Sequence, residues 1–326
     1  MATIHDIAKL ANCSARTVSR VLNNSGPVAI GTREKIETLI QENNFQPNMG
    51  AQALRNGKKR CIGLIQNSSD SEVNRRRTDT LTQLFSGQDY SLLIHRSRNP
   101  EHEEELIRLM KTHCDALIIF TSSNQEESPE MNQLQKESYP FIVIDPPTKV
   151  PYPSITIERS NAYRDAVLTL AEKGRKNIAL IVETFRQEDR IRGYKKGLEV
   201  AQLSFDPKLI IHSEKSYEGG VLSGRSIINQ VKSNSIDAIL CHNDRIALGI
   251  MRSLINHEVK VPEQVSIIGF DNDAYGAYIS PSLSSIDQGK DEVGTYIYEQ
   301  LYQHLDKRLS IQSRTYNTTL IIRESI

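Results

Sequence analysis

TIHDIAKLANCSARTVSRVLN, residues 3–23, reads as two short helices joined by a tight polar turn. Thr3 is placed to cap the first helix, with Asp6 three residues on as its reciprocal acid. Ile4, Ile7, Ala8 and Ala11 recur at helical spacing and make one apolar face. Asn12-Cys13-Ser14 breaks that pattern, and Ser14 is placed to cap a second helix. There Val18, Val21 and Leu22 point inward, which leaves Ala15, Arg16, Thr17, Ser19 and Arg20 on the outer face. Two helices this short cannot bury their faces alone. Ile30 to Asn43 supplies a third, with Thr32 as cap, Arg33, Glu34 and Lys35 outside, and Ile36, Leu39 and Ile40 inside. The pattern fits a plain helical bundle. It also fits the helix-turn-helix unit, whose second helix, small or basic on its free side, enters the DNA major groove.

The chain around this stretch has 326 residues, enough for two or three domains. Its 38% hydrophobic and 25% charged residues are ordinary for a globular protein. No apolar run approaches the roughly 18 residues of a membrane span. His5, Asp6 and Lys9 near the start leave no apolar region of a secretion signal, so a cytoplasmic location is expected. Cys13, Cys61, Cys114 and Cys241 are scattered, which suits reduced thiols and neither a zinc site nor a disulfide framework. The zero formal net charge hides an asymmetry. Residues 1–60 hold nine Lys and Arg against four Asp and Glu, a net +5, and the remainder holds 31 against 36, a net −5. A basic head on a mildly acidic body is the footprint of a module that meets phosphates.

Residues 44–60 form the join. Pro47 ends the third helix's neighbourhood, Asn48 to Asn56 could form a short helix weakened by Gly50, and Lys58, Lys59 and Arg60 follow. On the residues alone this is a flexible basic linker. Beyond it the rhythm becomes alternating strand and helix. Short apolar runs stand at 61–65, 92–94, 116–120, 141–144 and 155–157, and a second series at 178–182, 209–211, 238–241 and 265–270. Helical segments such as 101–113, 161–173 and 219–232 lie between them, as parallel crossovers require. Two series imply two α/β lobes, each a parallel sheet wrapped by helices. The last helix, 290–305, and last strand, 318–322, are expected to be shared between the lobes.

A search for chemistry finds no nucleotide-binding glycine loop, no H-E-x-x-H, no G-x-S-x-G and no histidine cluster, so no catalytic residue, metal site or cofactor is expected. Gly219, Gly220 and Gly224 open and pack a helix on this reading. Ligands of open α/β sheets sit beyond the carboxyl ends of the strands. Asp145, Asn243-Asp244, Asp271 and Gln288 follow such ends, and Arg190-Ile191-Arg192-Gly193-Tyr194 opens a helix. Taken singly, each Asp or Asn could equally be a helix cap and each Arg a surface charge.

The residues 3–23, followed by Thr32-Arg33-Glu34 and by FQPNMGAQALR at 45–55, resemble the LacI family of bacterial transcription regulators. Arg190 to Tyr194, CHNDRIALG at 241–249, VPEQVSIIGFDN at 261–272 and PSLSSI at 281–286 extend the resemblance along nearly the whole chain. It implies an N-terminal all-α helix-turn-helix head and a two-lobed α/β body like the periplasmic sugar-binding proteins, with parallel sheets. The implied organisation is a head at 1–46, a hinge helix and linker at 47–60, one lobe at 61–158 with 290–317, and a second at 159–289 with 318–326. It implies a repressor, working as a homodimer on near-palindromic double-stranded operator DNA and controlled by a small effector, a sugar or sugar phosphate. Ala15, Arg16 and Arg20 would read bases, and Thr17, Ser19 and Asn23 would touch phosphates or pack. Leu54, followed by Arg55, would wedge the minor groove. Gly50 departs from the family's bulkier residue there. Effector residues carried over by position are Arg190, Tyr217, Asn243 and Asp271, with Asp145 and Gln288 beside them.

A second departure follows the first strand of the body, where the chain has SSDSEVNRRR at 68–77. Arg77 falls on the same helical face as Val73 and Leu81. The arginines could be a solvated or ion-pairing face, or Arg77 could meet an anionic effector such as a sugar phosphate. A solute-binding protein of a transport system would share the lobes but has no use for a basic head.

Overall fold

The computed structural model describes residues 2–22, 25–43, 45, 58–67, 71–121, 128–184 and 187–326. The chain divides into two compact units, Met1–Arg60 and Cys61–Ile326.

The first unit carries α1 (Ile4–Ala11), α2 (Ala15–Leu22) and α3 (Ile30–Glu42). Thr3 and Asp6 close a full capping box at the start of α1: the Thr3 hydroxyl accepts the Asp6 N–H, and the Asp6 carboxylate accepts the Thr3 N–H at 2.8 Å. The exposed Asp6 carboxyl is held below its usual range by that Thr3 hydrogen bonding. Asn12 ends α1 in the left-handed region, φ 54°, and turns the chain. Ser14 Oγ then accepts the Thr17 N–H at 3.1 Å and starts α2. Ile7, Val18 and Ile36, one from each helix, are fully buried at the centre. Burial of such a side chain contributes about 1.5–3 kcal/mol. Two expectations are corrected here. Thr32 lies inside the first turn of α3, whose cap position is Ala29 without a side-chain bond. Ser19, expected on the outer face, is buried: the buried arc of α2 takes in Ser19 beside Val18.

The second unit holds two six-stranded sheets. In the first the order is β11-β5-β4-β3-β1-β2, with β1 (Cys61–Gln66), β2 (Ser91–Arg96), β3 (Ala116–Phe120), β4 (Phe141–Ile144), β5 (Ser154–Ile157) and β11 (Arg314–Tyr316), all parallel. In the second it is β12-β10-β9-β8-β6-β7, with β6 (Ile178–Val182), β7 (Ile210–His212), β8 (Ala238–Cys241), β9 (Ser266–Phe270), β10 (Ser284–Asp287) and β12 (Thr319–Ile321). Only the β10–β12 pairing is antiparallel. Strands buried on both faces must be apolar throughout. In β3, Ala116, Ile118 and Phe120 enter one core while Leu117 and Ile119 enter the other. In β6, Ile178, Leu180 and Val182 divide from Ala179 and Ile181 in the same way.

Helices α4 (Glu72–Ser86), α5 (Pro100–His113) and α6 (Pro129–Lys136) belong to the first lobe. Helices α7 (Arg159–Glu172), α8 (Glu188–Val200), α9 (Tyr217–Lys232), α10 (Asp244–Asn256) and α11 (Ala274–Tyr278) belong to the second. Helix α12 (Lys290–Lys307) returns to the first lobe, where Val293, Ile297 and Leu301 share a core with Leu81 and Phe85 of α4. The chain therefore passes between lobes after β5, after β10 and between β11 and β12. Glycines set how close some helices come. A Cβ on Gly193 of α8 would lie 2.0 Å from the Ser160 carbonyl oxygen of α7, and one on Gly220 of α9 would lie 2.4 Å from the Ile246 carbonyl oxygen of α10.

Candidate functional site

In the first unit, α2 presents Arg16 and Arg20 one turn apart on an exposed face, with Ala15 and Thr17 half-buried beside them. Thr17 Oγ1 is hydrogen-bonded to Ser14 Oγ at 2.9 Å, so it helps fix the start of the helix. Asn23, Leu54, Arg55 and the hinge segment 47–57 lie outside the described residues.

In the second unit, a cavity of about 520 Å³ opens between the two sheets. Its wall is built from strand ends. Asn67 follows β1, Phe120 and Ile144 end β3 and β4, and Asp145, Glu183, His242, Asp271 and Gln288 follow β4, β6, β8, β9 and β10. All these strands run the same way within their sheets, so their carboxyl ends converge as parallel topology requires. Asp145 and Asp271 both have positive φ, 54° and 107°, a strained backbone for a residue with a side chain. Their amides donate to the Ile155 and Ile286 carbonyls of the neighbouring strands, at 2.7 and 2.9 Å, which holds the strained positions.

The charges in this wall are ordered in pairs. Arg159, opening α7, forks onto Asp145 through Nη1–Oδ1 at 2.7 Å and Nη2–Oδ2 at 2.6 Å, and so ties a strand end of the first lobe to a helix of the second. Burial, the largest single influence, loosens the Arg159 proton, but the charge and hydrogen bonds of Asp145, joined by the charges of Asp271 and Asp189, together outweigh it and hold the guanidinium above its ordinary value. Arg190 is buried, its guanidinium 5.2 Å from the Phe270 ring centre and 5.8 Å from that of Tyr163. Gln288 Nε2 donates to Asp271 Oδ1. Burial pushes the Asp271 carboxyl up, against the pull of Lys215 and Arg190. Lys215 is pushed down by burial, against Asp271 and Glu183, and its Nζ stands 4.0 Å from Glu183.

Of the residues expected to hold an effector, Asp145, Arg190, Asn243, Asp271, Gln288 and Arg77 all line this one cavity. Tyr217 does not. It opens α9 as a 40% exposed ring with the Arg245 guanidinium 5.8 Å from its centre. Asn243 also serves as a cap, its side chain accepting the Ile246 N–H at 3.0 Å. Its neighbour Asp244 is wholly buried and structural, accepting from Ser285 Oγ and from the Asp273 N–H at 2.6 Å each. Arg159, Asp189, Lys215, His242 and Asp273 also line the cavity and were not singled out from sequence. A basic residue two positions past a strand, as Arg159 stands after β5 and Glu158, is the available signal. Among the described residues no group of three His, Cys, Asp or Glu could hold a metal ion, and no helix is long and apolar enough to cross a membrane.

The family model of bacterial regulatory proteins, lacI family, matches residues 3–48, and that of a periplasmic binding protein-like domain matches residues 167–326. Catabolite control protein A of Staphylococcus epidermidis is 31% identical over 301 residues, covering 90% of this chain and 89% of its own. The ribose operon repressor of Haemophilus influenzae is 28% identical over 337 residues, covering 100% and 99%. Among solved structures, the lac repressor dimer bound to operator and the anti-inducer ONPF superposes with a TM-score of 0.86. It is 22% identical and covers 99% of this chain and 98% of that one, a likeness of fold.

Proposed function

Because this chain belongs to the LacI family of bacterial regulatory proteins, we propose that it is a cytoplasmic transcription repressor and not an enzyme. Its grip on operator DNA is set by a sugar-like effector held between the lobes. One observation carries the reading. A basic three-helix unit with two exposed arginines on its second helix is joined to a body whose polar cavity takes residues from both sheets. The domain limits proposed are those of the sequence: head 1–46, hinge 47–60, and lobes 61–158 with 290–317 and 159–289 with 318–326. A transport-type solute-binding protein would leave residues 3–48 without a task.

In the head, Arg16 forks onto guanine O6 and N7, Arg20 and Ala15 meet neighbouring base edges, and Thr17 lies beside the backbone. Ser19, being buried, packs instead. Asn23, Leu54 and Arg55 are assigned by resemblance to the phosphates and the minor groove. Two copies of the chain read two half-sites, because dimer symmetry imposes operator symmetry. In the body, Asp145, Asp271, Asn243 and Gln288 supply acceptors and an amide for sugar hydroxyls, and Arg190 is held rigid on its aromatic bed. The Asp145–Arg159 pair spans the lobes, so a ligand that competes for Asp145 alters the lobe-to-lobe link. Control of DNA follows only if the effector binds one lobe arrangement better than the other.

The test is selection of duplexes from a random library by the full chain, followed by mobility shift with and without sugars. A near-palindromic consensus whose binding a sugar changes supports the reading. Failure to retain any duplex at low salt sinks it.

A further inference from the structure

Three consecutive arginines open α4, and they have different fates. Arg75 forks onto Glu72 and reaches Asp79 at 2.8 Å, and Arg76 reaches Glu72 at 3.3 Å, all near the surface. Arg77 turns inward. It is 2% exposed, sits in the buried row with Val73, Leu81 and Phe85, and lines the cavity. Its Nε and Nη2 are both buried without a hydrogen-bond partner. Those two nitrogens form one edge of the guanidinium, the edge that grips a carboxylate or phosphate with two parallel hydrogen bonds.

The acids whose charges reach Arg77 are already engaged. Asp145 is forked by Arg159, Asp271 accepts from Gln288, and Asp287 accepts from Asn272 Nδ2 at 2.6 Å and from the Gly289 N–H at 2.7 Å. Burial pushes the Arg77 guanidinium down to about 10, against the pull of those acids, so it remains a cation at neutral pH. An apolar side chain would fill this row of α4 without the cost of a desolvated charge. The retained charge has a use if a ligand brings its partner.

We propose that Arg77 selects an anionic effector, its guanidinium pairing with a carboxylate or phosphate group of the sugar-like molecule. The proposal rests on the reading of this cavity as the effector site. Arg77 then sets specificity from the first lobe, while the hydroxyl-binding acids stand at strand ends of both lobes, Asp145 in the first and Asp271 in the second. A neutral sugar leaves the guanidinium without a counter-charge and binds more weakly than its acidic or phosphorylated counterpart.

The experiment follows thermal unfolding of the full chain with inorganic phosphate or acetate replacing chloride at constant ionic strength. Wild type should be stabilised by at least one of the two, and the stronger of them names the anionic group. Arg77→Met should lose at least roughly tenfold in apparent affinity for that anion. It should also melt no lower than wild type in chloride. Arg75→Met, a surface control, should respond like wild type. The proposal is overturned if neither anion stabilises wild type, if Arg77→Met responds as wild type does, or if it melts several degrees lower in chloride, which marks a structural charge. Should the Met variant not fold, Arg77→Lys keeps the charge without the fork, and an undiminished response in it overturns the assignment. DNA capture by the same preparation is scored separately, so a chain that binds the anion through Arg77 but no duplex refutes the repressor reading and leaves Arg77 assigned.

Discussion

Asp145 and Asp244 show how two buried-site acids are put to different work. Asp145 sits in a strained backbone position and is neutralised across the lobes by Arg159. Asp145→Asn gives up the charge opposite a half-buried guanidinium. It is expected to destabilise the body by about 1–3 kcal/mol and to weaken effector binding at least roughly tenfold, as urea unfolding and titration calorimetry would show. Asp244 is wholly buried, and burial holds its carboxyl well above its ordinary 3.8, against the hydrogen bond from Ser285. The unfolded chain releases that proton near 3.8, while the folded chain keeps it to higher pH. Over that window the unfolded state binds fewer protons, so this group's contribution is full below about pH 4 and is lost as pH rises through the folded value. Asp244→Asn should therefore be less stable than wild type at pH 4.5, for want of an acceptor, with the gap narrowing towards pH 7. Parallel urea titrations at the two pH values check this, and a gap that widens would refute it. At this scale the sequence brought Asp145, Asn243, Asp271 and Gln288 to the cavity wall, because a residue just past a parallel strand has little choice of direction, while Arg190 and Arg77 reach that wall from helices α8 and α4. It misplaced Tyr217, since a residue at a helix start can face the cavity or the solvent, and its own neighbours do not say which.

Among the elements, glycines separate close packing from mere tolerance. Gly193 and Gly220 each face a backbone carbonyl of the next helix at a distance no Cβ can share. Alanine at either should cost about 1–3 kcal/mol or more, because a carbonyl cannot rotate aside as a side chain does. Gly31, in the first turn of α3, has nothing within 4 Å of a built Cβ. Gly31→Ala should stabilise the head by about 0.4–1 kcal/mol through the unfolded chain. Thermal unfolding distinguishes the two classes by sign. Periodicity found these helices and strands because burial on two faces or one leaves a period that single residues cannot hide. It mistook Thr32 for a cap because a good capping residue is also an acceptable first-turn residue. It put Ser19 outside because a small hydroxyl fits either side of a narrow helix.

For the whole molecule, the charge asymmetry between residues 1–60 and the body has a measurable consequence. Binding of duplex DNA should fall steeply with salt, the logarithm of affinity dropping linearly with the logarithm of salt concentration. Arg16→Ala should cost about 1–3 kcal/mol on the preferred operator and far less on random duplex, relaxing specificity at one base pair of each half-site. Mobility shifts at several salt concentrations measure both effects. Equal losses on operator and random duplex would assign Arg16 to the backbone instead.

The sequence by itself determined the kind of molecule: a basic helical head, two parallel α/β lobes, and a ligand zone past their strand ends. Local periodicity, capping chemistry and charge are properties of neighbours along the chain, and they carry that much. Only the tertiary structure decided how the charges in the zone are shared. Asp145 with Arg159, Arg190 with Phe270, and the inward turn of Arg77 unite residues from separate elements, and Coulomb attraction and desolvation act through space without regard to sequence order.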